Sequence, residues 1–311
     1  MQTGRYIHII HSDPNKVGKL PYASVPNTVN EINGGNLFKI DSFFSSLFKI
    51  LKETKKGDNL IFHSRPTIIE SLPFLIFNRI TGRNRVACNN HNRLRAILIN
   101  KIFMKLFIDK VILITKDNQQ ELIKYGLDNT IVIPAPIPIQ RIQKYKSDKY
   151  DKKYDVVWTG RDVPHKRLNL FLDSIKNIDN LKALVLTPAI SQDNKNKIKN
   201  MKNVELKEGL NNNDFFKEMT KSRAYVFTST NDEGFGMILL EAAYLGIPII
   251  ATDIDKFREI LKDNAVFWKD EKDLERIILM LSKGKLSLPL ASKELLEEYS
   301  PDRITKLYRS W

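Results

Sequence analysis

The sequence predicts an α/β protein of two domains, each a parallel sheet flanked by helices, with the two sheets facing across a cleft. Three observations carry this. Short apolar runs alternate with helical stripes through both halves of the 311-residue chain, the pattern of parallel sheets covered on both faces. From Gln140 to Tyr154 the chain turns rich in Lys, Tyr, Gln and Asp and loses its apolar periodicity, after which the rhythm restarts. The length suits two domains of about 150 residues each. The expected division is residues 1–145, residues 146–298, and a closing helix over 299–311 that crosses back to the first domain.

In the first half, Tyr6–Ile10 reads as a short buried strand. Residues 42–56 place apolar groups at positions 43, 44, 47, 48 and 51, a helical stripe that Gly57-Asp58 ends. Strands follow over 59–63, 86–89, 110–115 and 130–133, with helices over 66–80, 93–108 and 117–125. Gly126 stops the last helix. Pro134, Pro136 and Pro138 lack amide hydrogens and end any ladder. The second half reads as strands over 155–159, 182–187, 203–206, 224–228, 247–251 and 265–267. Helices over 167–177, 191–200, 212–220, 236–245, 255–261 and 271–282 separate them.

Composition narrows the function. Hydrophobic residues make up 42% and charged residues 28%, enough apolar content for sizeable cores and too much for a disordered chain. The formal charge of +14 is uneven: residues 1–150 hold 23 basic and 11 acidic side chains, residues 151–311 hold 27 and 25. A basic half points to an anionic partner: nucleic acid, a phospholipid surface or a phosphorylated substrate. No nucleic-acid-binding motif accompanies the charge, and aromatics are not interleaved with the basic run, so nucleic acid is not expected. A lone Cys88 excludes an internal disulfide and a thiolate metal site. The start, Met1 to Ile10, lacks the design of a secretory signal, and no run of 18 apolar residues occurs, so a cytoplasmic protein is expected.

The most informative segment runs from Ser229 to Pro248: a strand end, a turn bearing Glu233-Gly234-Phe235-Gly236, a helix from Met237 and Ile238 carrying Glu241, then Gly246-Ile247-Pro248. Amides at the helix start are unpaired and favour an anion. Gly234 and Gly236 let a ligand approach the main chain closely. Both carboxylates can project towards one extended polar ligand. A glycine turn before a helix is common on its own; the Glu-x7-Glu spacing around Gly-Phe-Gly is far more specific.

Glu233 to Pro248 resembles the signature of the retaining nucleotide-sugar glycosyltransferases of family 4, which have the GT-B fold of two Rossmann-like domains. Trp158-Thr-Gly160-Arg161 with Lys166-Arg167 is similar to that family's glycine-arginine turn and following lysine, and Tyr299 to Trp311 to its closing helix. The resemblance is strong over 155–311, moderate over 86–139 and weak before residue 60. It implies transfer of a sugar, with retention, from a UDP- or GDP-sugar to a glycan or lipid-linked acceptor in cell-surface polysaccharide synthesis.

The resemblance also implies roles. Glu233 would contact donor-sugar hydroxyls and Glu241 the ribose; the alternative for Glu241 is a structural cap or ion pair. Arg161 offers a planar fork to the diphosphate and Lys166 a point charge; the alternative for both is a solvated turn. Gly160, Gly234, Phe235, Gly236, Met237 and Ile238 would line the phosphate turn, while Gly209 and Leu210 would stand where the chain passes the nucleobase. His91, at a strand end before a helix, would lie near the donor sugar, with His63 second. Gly34-Gly35 and Gly18 are alternative sources of a first-domain phosphate loop. Asp253-Ile-Asp255 is read as structural or at most adjacent to the donor, and neither metal nor cofactor is expected.

Between Glu70 and Asp109 the chain has no acidic residue, and the apolar stretch from Leu94 to Ile108 carries cations. That composition fits peripheral contact with an anionic membrane surface at its inner face, or a core helix with a solvated cationic edge. A non-hydrolysing sugar-nucleotide epimerase, which shares the two-domain architecture, is the competing enzyme reading.

Overall fold

The computed structural model describes residues 5–11, 37–40, 43–63, 71–90, 101–146 and 151–310. The chain divides into two units, Met1–Pro138 with Tyr299–Trp311, and Ile139–Glu298.

In the first unit, β1 (Tyr6–His11), β2 (Leu37–Ile40), β3 (Asn59–His63), β4 (Arg85–Asn90), β5 (Lys110–Leu113) and β6 (Thr130–Val132) form a parallel sheet in the order β2-β1-β3-β4-β5-β6. Successive side chains of a strand point to opposite faces, and this alternation builds two cores. Leu60 and Phe62, Val86 and Cys88, and Val111 and Leu113 share one core with Ile50, Phe74, Met104 and Leu122. Those four belong to the helices α1 (Phe43–Glu53), α2 (Leu72–Thr81), α3 (Lys101–Phe107) and α4 (Lys116–Lys124). Ile61, Ala87 and Ile112 face the other way and pack with Ile133, Ile304 and Tyr308. The last two belong to the C-terminal helix Pro301–Tyr308, which Ser300 caps by accepting from the amide of Arg303. Cys88 is buried, and burial pushes its thiol up to about 12, which makes it a core residue.

The second unit begins with α5 (Ile139–Ile142) and the 3-10 turn Gln143–Tyr145. Its strands are β7 (Tyr154–Thr159), β8 (Ala183–Thr187), β9 (Val204–Glu208), β10 (Ser222–Phe227), β11 (Ile249–Thr252) and β12 (Val266–Trp268). They form a parallel sheet in the order β12-β11-β10-β7-β8-β9. The helices between and after them are α6 (Leu168–Ile175), α7 (Gln192–Lys199), α8 (Asn212–Met219), α9 (Met237–Tyr244), α10 (Asp255–Leu261), α11 (Glu271–Ser282) and α12 (Lys293–Glu298). Ser191, Asn211 and Asp270 cap α7, α8 and α11 by accepting an amide three residues on. The core gathers Trp158, Phe171, Leu172, Val185, Val226 and Trp268.

Several elements differ from the sequence reading, among them α5 and α12, which it did not place. The strand β2 was not expected: four residues carry too little alternation to be read as a strand. Residues 139–145 group with the second unit, because Tyr145 stacks on Phe216 at 5.6 Å and donates to Asn213 on α8; the sequence placed the boundary at 145. Among the described residues no helix is long and apolar enough to cross a membrane.

A buried polar cluster sits within the first unit. His8 and His63, both wholly buried, stack at 5.1 Å and share a hydrogen bond of 2.8 Å between Nδ1 and Nε2. Tyr308 meets the His8 ring edge-on at 5.8 Å and accepts from Asn89 Nδ2 at 2.5 Å. One imidazole must donate and the other accept, which a neutral pair can do. His63, the second histidine candidate for a ligand site, is therefore a core residue here.

Burial pushes His8 down to about 4 from its ordinary 6.5. The unfolded chain takes up a proton on His8 between those values and the folded chain does not. Stability is thus complete above pH 6.5 and falls as pH drops towards 4, by about 1.4 kcal/mol per pH unit at the steepest. Thermal unfolding followed from pH 7 to 4 should give a falling midpoint, with a shallower fall in a His8→Asn chain. A midpoint unchanged to pH 4 would contradict the neutral pair.

Candidate functional site

Two loops of the second unit, one following β7 and one following β10, bring charged side chains together. The β7 loop opens at Gly160, where a Cβ would stand 3.1 Å from the Trp158 ring and 3.4 Å from Lys166 Cδ. Glycine lets the lysine stem lie across the turn. Arg161 is exposed. Lys166 ends the 3-10 turn Pro164–Lys166, and its ammonium pairs with the Glu233 carboxylate of the other loop. The two side chains are 13% and 16% exposed, so the pair is largely withdrawn from water. Lys166 also lies over the Phe227 ring at 5.5 Å.

Hydrogen bonds stitch the two loops together. The Thr228 hydroxyl accepts from Trp158 Nε1 at 2.8 Å and donates to the Lys166 carbonyl at 2.5 Å. The Thr230 amide donates to the His165 carbonyl at 2.8 Å. Arg167, held in the left-handed region at φ 52°, donates from Nε to the Thr228 carbonyl at 2.5 Å. Its Nη2 reaches Thr252 Oγ1 at 3.0 Å, and its guanidinium lies over Trp268 at 5.0 Å. Lys256, buried on α10, donates to the carbonyls of Asn231 at 2.8 Å and Glu233 at 2.6 Å.

Gly236 caps α9 at φ 75°, a conformation that side chains rarely adopt, and a Cβ there would stand 3.2 Å from Leu239 Cδ1 and 3.3 Å from Phe227 Cζ. Gly234 is exposed, Phe235 is buried, and Met237 and Ile238 are half-buried at the first turn, where amides lack helical partners. Glu241 lies further along the same helix and is buried, its carboxylate paired with Arg141 of α5. Burial pushes Glu241 up to about 7, with Arg141 opposing the shift. Tyr225 on β10 is also buried; burial raises its phenol, and the charges of Glu233 and Glu241 add to the rise. Both carboxylates therefore lie within electrostatic reach of one hydroxyl.

The structure thus brings together Gly160, Lys166, Glu233 and the 234–238 turn, with Glu241 on the helix that the turn starts. Gly209 follows β9 in the left-handed region at φ 68° and donates its amide to Thr187 at 2.9 Å; Leu210 beside it is half-buried. His91, Gly18 and Gly34-Gly35 lie outside the described residues. Asp253 is engaged by Arg258 through two hydrogen bonds, and Asp255 stands in the first turn of α10. Among the described residues no three His, Cys, Asp or Glu side chains come together as a metal site.

Sequence reasoning missed Arg141 and Lys256 and gave Arg167 no role. Arg141 is 100 positions from its partner, and nothing local announces the pair. Lys256 immediately follows the Asp-Ile-Asp segment on a helix face that turns out to be buried.

Residues 139–290, just under half of the chain, match the family model described as "Glycosyl transferases group 1". Solved structures similar to the whole chain include that of Anabaena Alr3699/HepE in complex with UDP, at 14% identity and TM-score 0.73, covering 98% of each chain. The lipopolysaccharide outer core galactosyltransferase WaaB in its apo form is similar at 15% identity and TM-score 0.71, again over 98% of each chain. TarM is similar at 18% identity and TM-score 0.68 over 86% of this chain, which spans only 57% of TarM. No curated protein is a significant match in sequence. The two parallel-sheet units have the GT-B fold, and the matched domain together with these neighbours supports a glycosyltransferase.

Removing the Lys256 ammonium leaves two carbonyls of the Glu233 loop without their donor. Lys256→Met should lower unfolding stability by about 1–3 kcal/mol in urea titrations, with Lys256→Arg recovering part of it. Equal stability of all three chains would show that the loop does not depend on this lysine.

Proposed function

We propose that the chain transfers a sugar from a nucleoside-diphosphate sugar to a hydroxyl of a glycan or lipid-linked acceptor, with retention of anomeric configuration, in surface polysaccharide synthesis. The observation that carries this is the withdrawn Lys166–Glu233 pair beside the glycine-capped start of α9. A diphosphate needs positive charge and oriented amides at its oxygens, while a sugar needs a carboxylate that accepts from hydroxyls.

In this reading the diphosphate takes Lys166, together with Arg161 and the amides of Met237 and Ile238. Glu233 is then released from its pair and accepts from donor-sugar hydroxyls. Gly160, Gly234 and Gly236 keep the wall free of side chains, and Phe235 anchors the turn. Glu241, oriented by Arg141, accepts from the ribose; Gly209 and Leu210 pass the base; His91 serves the sugar side. The bond from the anomeric carbon to the phosphate oxygen breaks, and a bond from the acceptor oxygen forms on the same face. The acceptor's proton goes to the departing phosphate oxygen. A lipid-linked acceptor sets this chemistry at the inner face of the cytoplasmic membrane. UDP is the first base to try, because HepE has been solved with UDP and with UDP-glucose.

A thermal-shift screen of UDP-, GDP- and ADP-sugars, followed by NMR of the product, tests the proposal. A UDP-sugar should raise the midpoint, and Glu233→Gln should lower kcat by about 10²–10³. A β-linked product from an α-linked donor would remove retention; silence towards every nucleotide sugar would remove the reading. Ionised Glu241 accepts through both oxygens and binds the ribose hydroxyls more strongly than the neutral acid, and burial pushes its carboxyl up to about 7. UDP affinity should therefore rise from pH 6 to pH 8, and Glu241→Gln should flatten that dependence in calorimetric titrations.

A further inference from the structure

Large apolar side chains left exposed are unevenly placed in this molecule. Of the eight among the described residues, seven lie on or at the end of α1 to α4 of the first unit, and Leu290 alone lies in the second. α1 packs against α2, and α2 against α3. Phe48 on α1 is 75% exposed, Ile80 on α2 81% and Ile102 on α3 77%, with Ile76 and Leu106 one turn away from the two isoleucines. An isoleucine four-fifths exposed contributes little to its own fold, and large apolar side chains exposed together on neighbouring helices mark an interaction surface.

The charges around the patch say what kind of partner fits. Lys52 on α1, Arg79 on α2 and Lys105 on α3 are exposed on the same three helices. Glu53, at the last position of α1, is the one acidic residue that α1, α2 and α3 carry. Long basic side chains can lay their stems along apolar surface while the cationic ends reach outward. A soluble protein partner would have to match three separate ridges, whereas a fluid layer of anionic headgroups over acyl chains accepts apolar tips and cations together.

We infer that the outer face of α1, α2 and α3 is a membrane-docking surface, seating Phe48, Ile80 and Ile102 among the acyl chains of an anionic phospholipid leaflet while Lys52, Arg79 and Lys105 meet its headgroups. This goes beyond the transfer reaction, with which it shares only the membrane setting. The two fail separately, since vesicle binding needs no nucleotide and transfer to a soluble acceptor needs no vesicle.

Flotation of the full chain with vesicles of phosphatidylcholine alone, and of phosphatidylcholine with phosphatidylglycerol, tests the surface. Recovery should be high on the anionic vesicles at about 0.15 M salt, fall at about 1 M, and be low on phosphatidylcholine. The double substitution Ile80→Asp with Ile102→Asp should lower the partition coefficient at least about tenfold, with an unchanged thermal midpoint, as both sites are exposed. Arg79→Glu with Lys105→Glu should do likewise, and Leu290→Asp in the second unit should change nothing. Equal recovery on both vesicle types, or retention of binding by both double variants, would overturn the inference. So would a dimer in light scattering that the isoleucine substitutions dissolve, since the patch would then be a self-association face.

Discussion

A lysine and a glutamate held together away from water tie the loop after β7 to the loop after β10. Withdrawing either charge alone would be costly, so Lys166 and Glu233 are tolerable only in company, and the company fixes where both loops run. Hydrogen bonds to neutral backbone and hydroxyl groups close around that pair. Arg167 accepts a left-handed backbone so that its guanidinium can cover the end of β10, and Thr228 uses its hydroxyl in both directions. Lys256 occupies the carbonyls behind Glu233. With the carbonyls of Asn231 and Glu233 held by Lys256, the loop carries the carboxylate on a fixed backbone. Pre-organised charge of this kind is what stabilises a transition state.

Glu241 obeys the same rule from the opposite direction. Its helix, Met237–Tyr244, is buried over most of its circumference, and a carboxyl at 1% exposure would ordinarily be driven neutral. Arg141 opposes that drift without abolishing it, so the group balances near neutrality. Arg141 is itself steadied by the Phe216 ring at 5.5 Å. The short α5 is therefore as much a part of the site as the glycine turn, although it stands at the other end of the sequence of the unit.

How much of this could be read beforehand depended on the range of the interaction. Glu233 to Pro248 was legible because its chemistry is local: a glycine with positive φ, a helix start and two acids at fixed spacing imply one another. The alternation of strands was legible for the same reason, since a five-residue apolar run writes its own periodicity. Arg141 and Lys256 were not, because their partners are tertiary and either could as well have been a solvated surface cation. The His8–His63 pair was hidden in the register of β1 against β3, which sets His8 beside Ile61, two positions before His63. A lone histidine in each strand carries no sign of the other.

The uneven charge gains a physical meaning at this level. In the second unit several cations are matched where they stand: Lys153 by Glu205, Lys195 by Glu208, Arg223 by Asp155, Arg276 by Asp273. On the loops after β7 and β10, Lys166 is matched by Glu233 in the same short-range way. In the first unit the basic side chains of α1 to α3 have almost no acidic neighbours on their own helices, so their fields add and reach outward. A field that adds over three helices attracts an extended anionic surface better than a compact anion, and it is screened by salt accordingly. The two halves of the chain thus use the same side chains at two length scales, and net charge alone reports only the longer one.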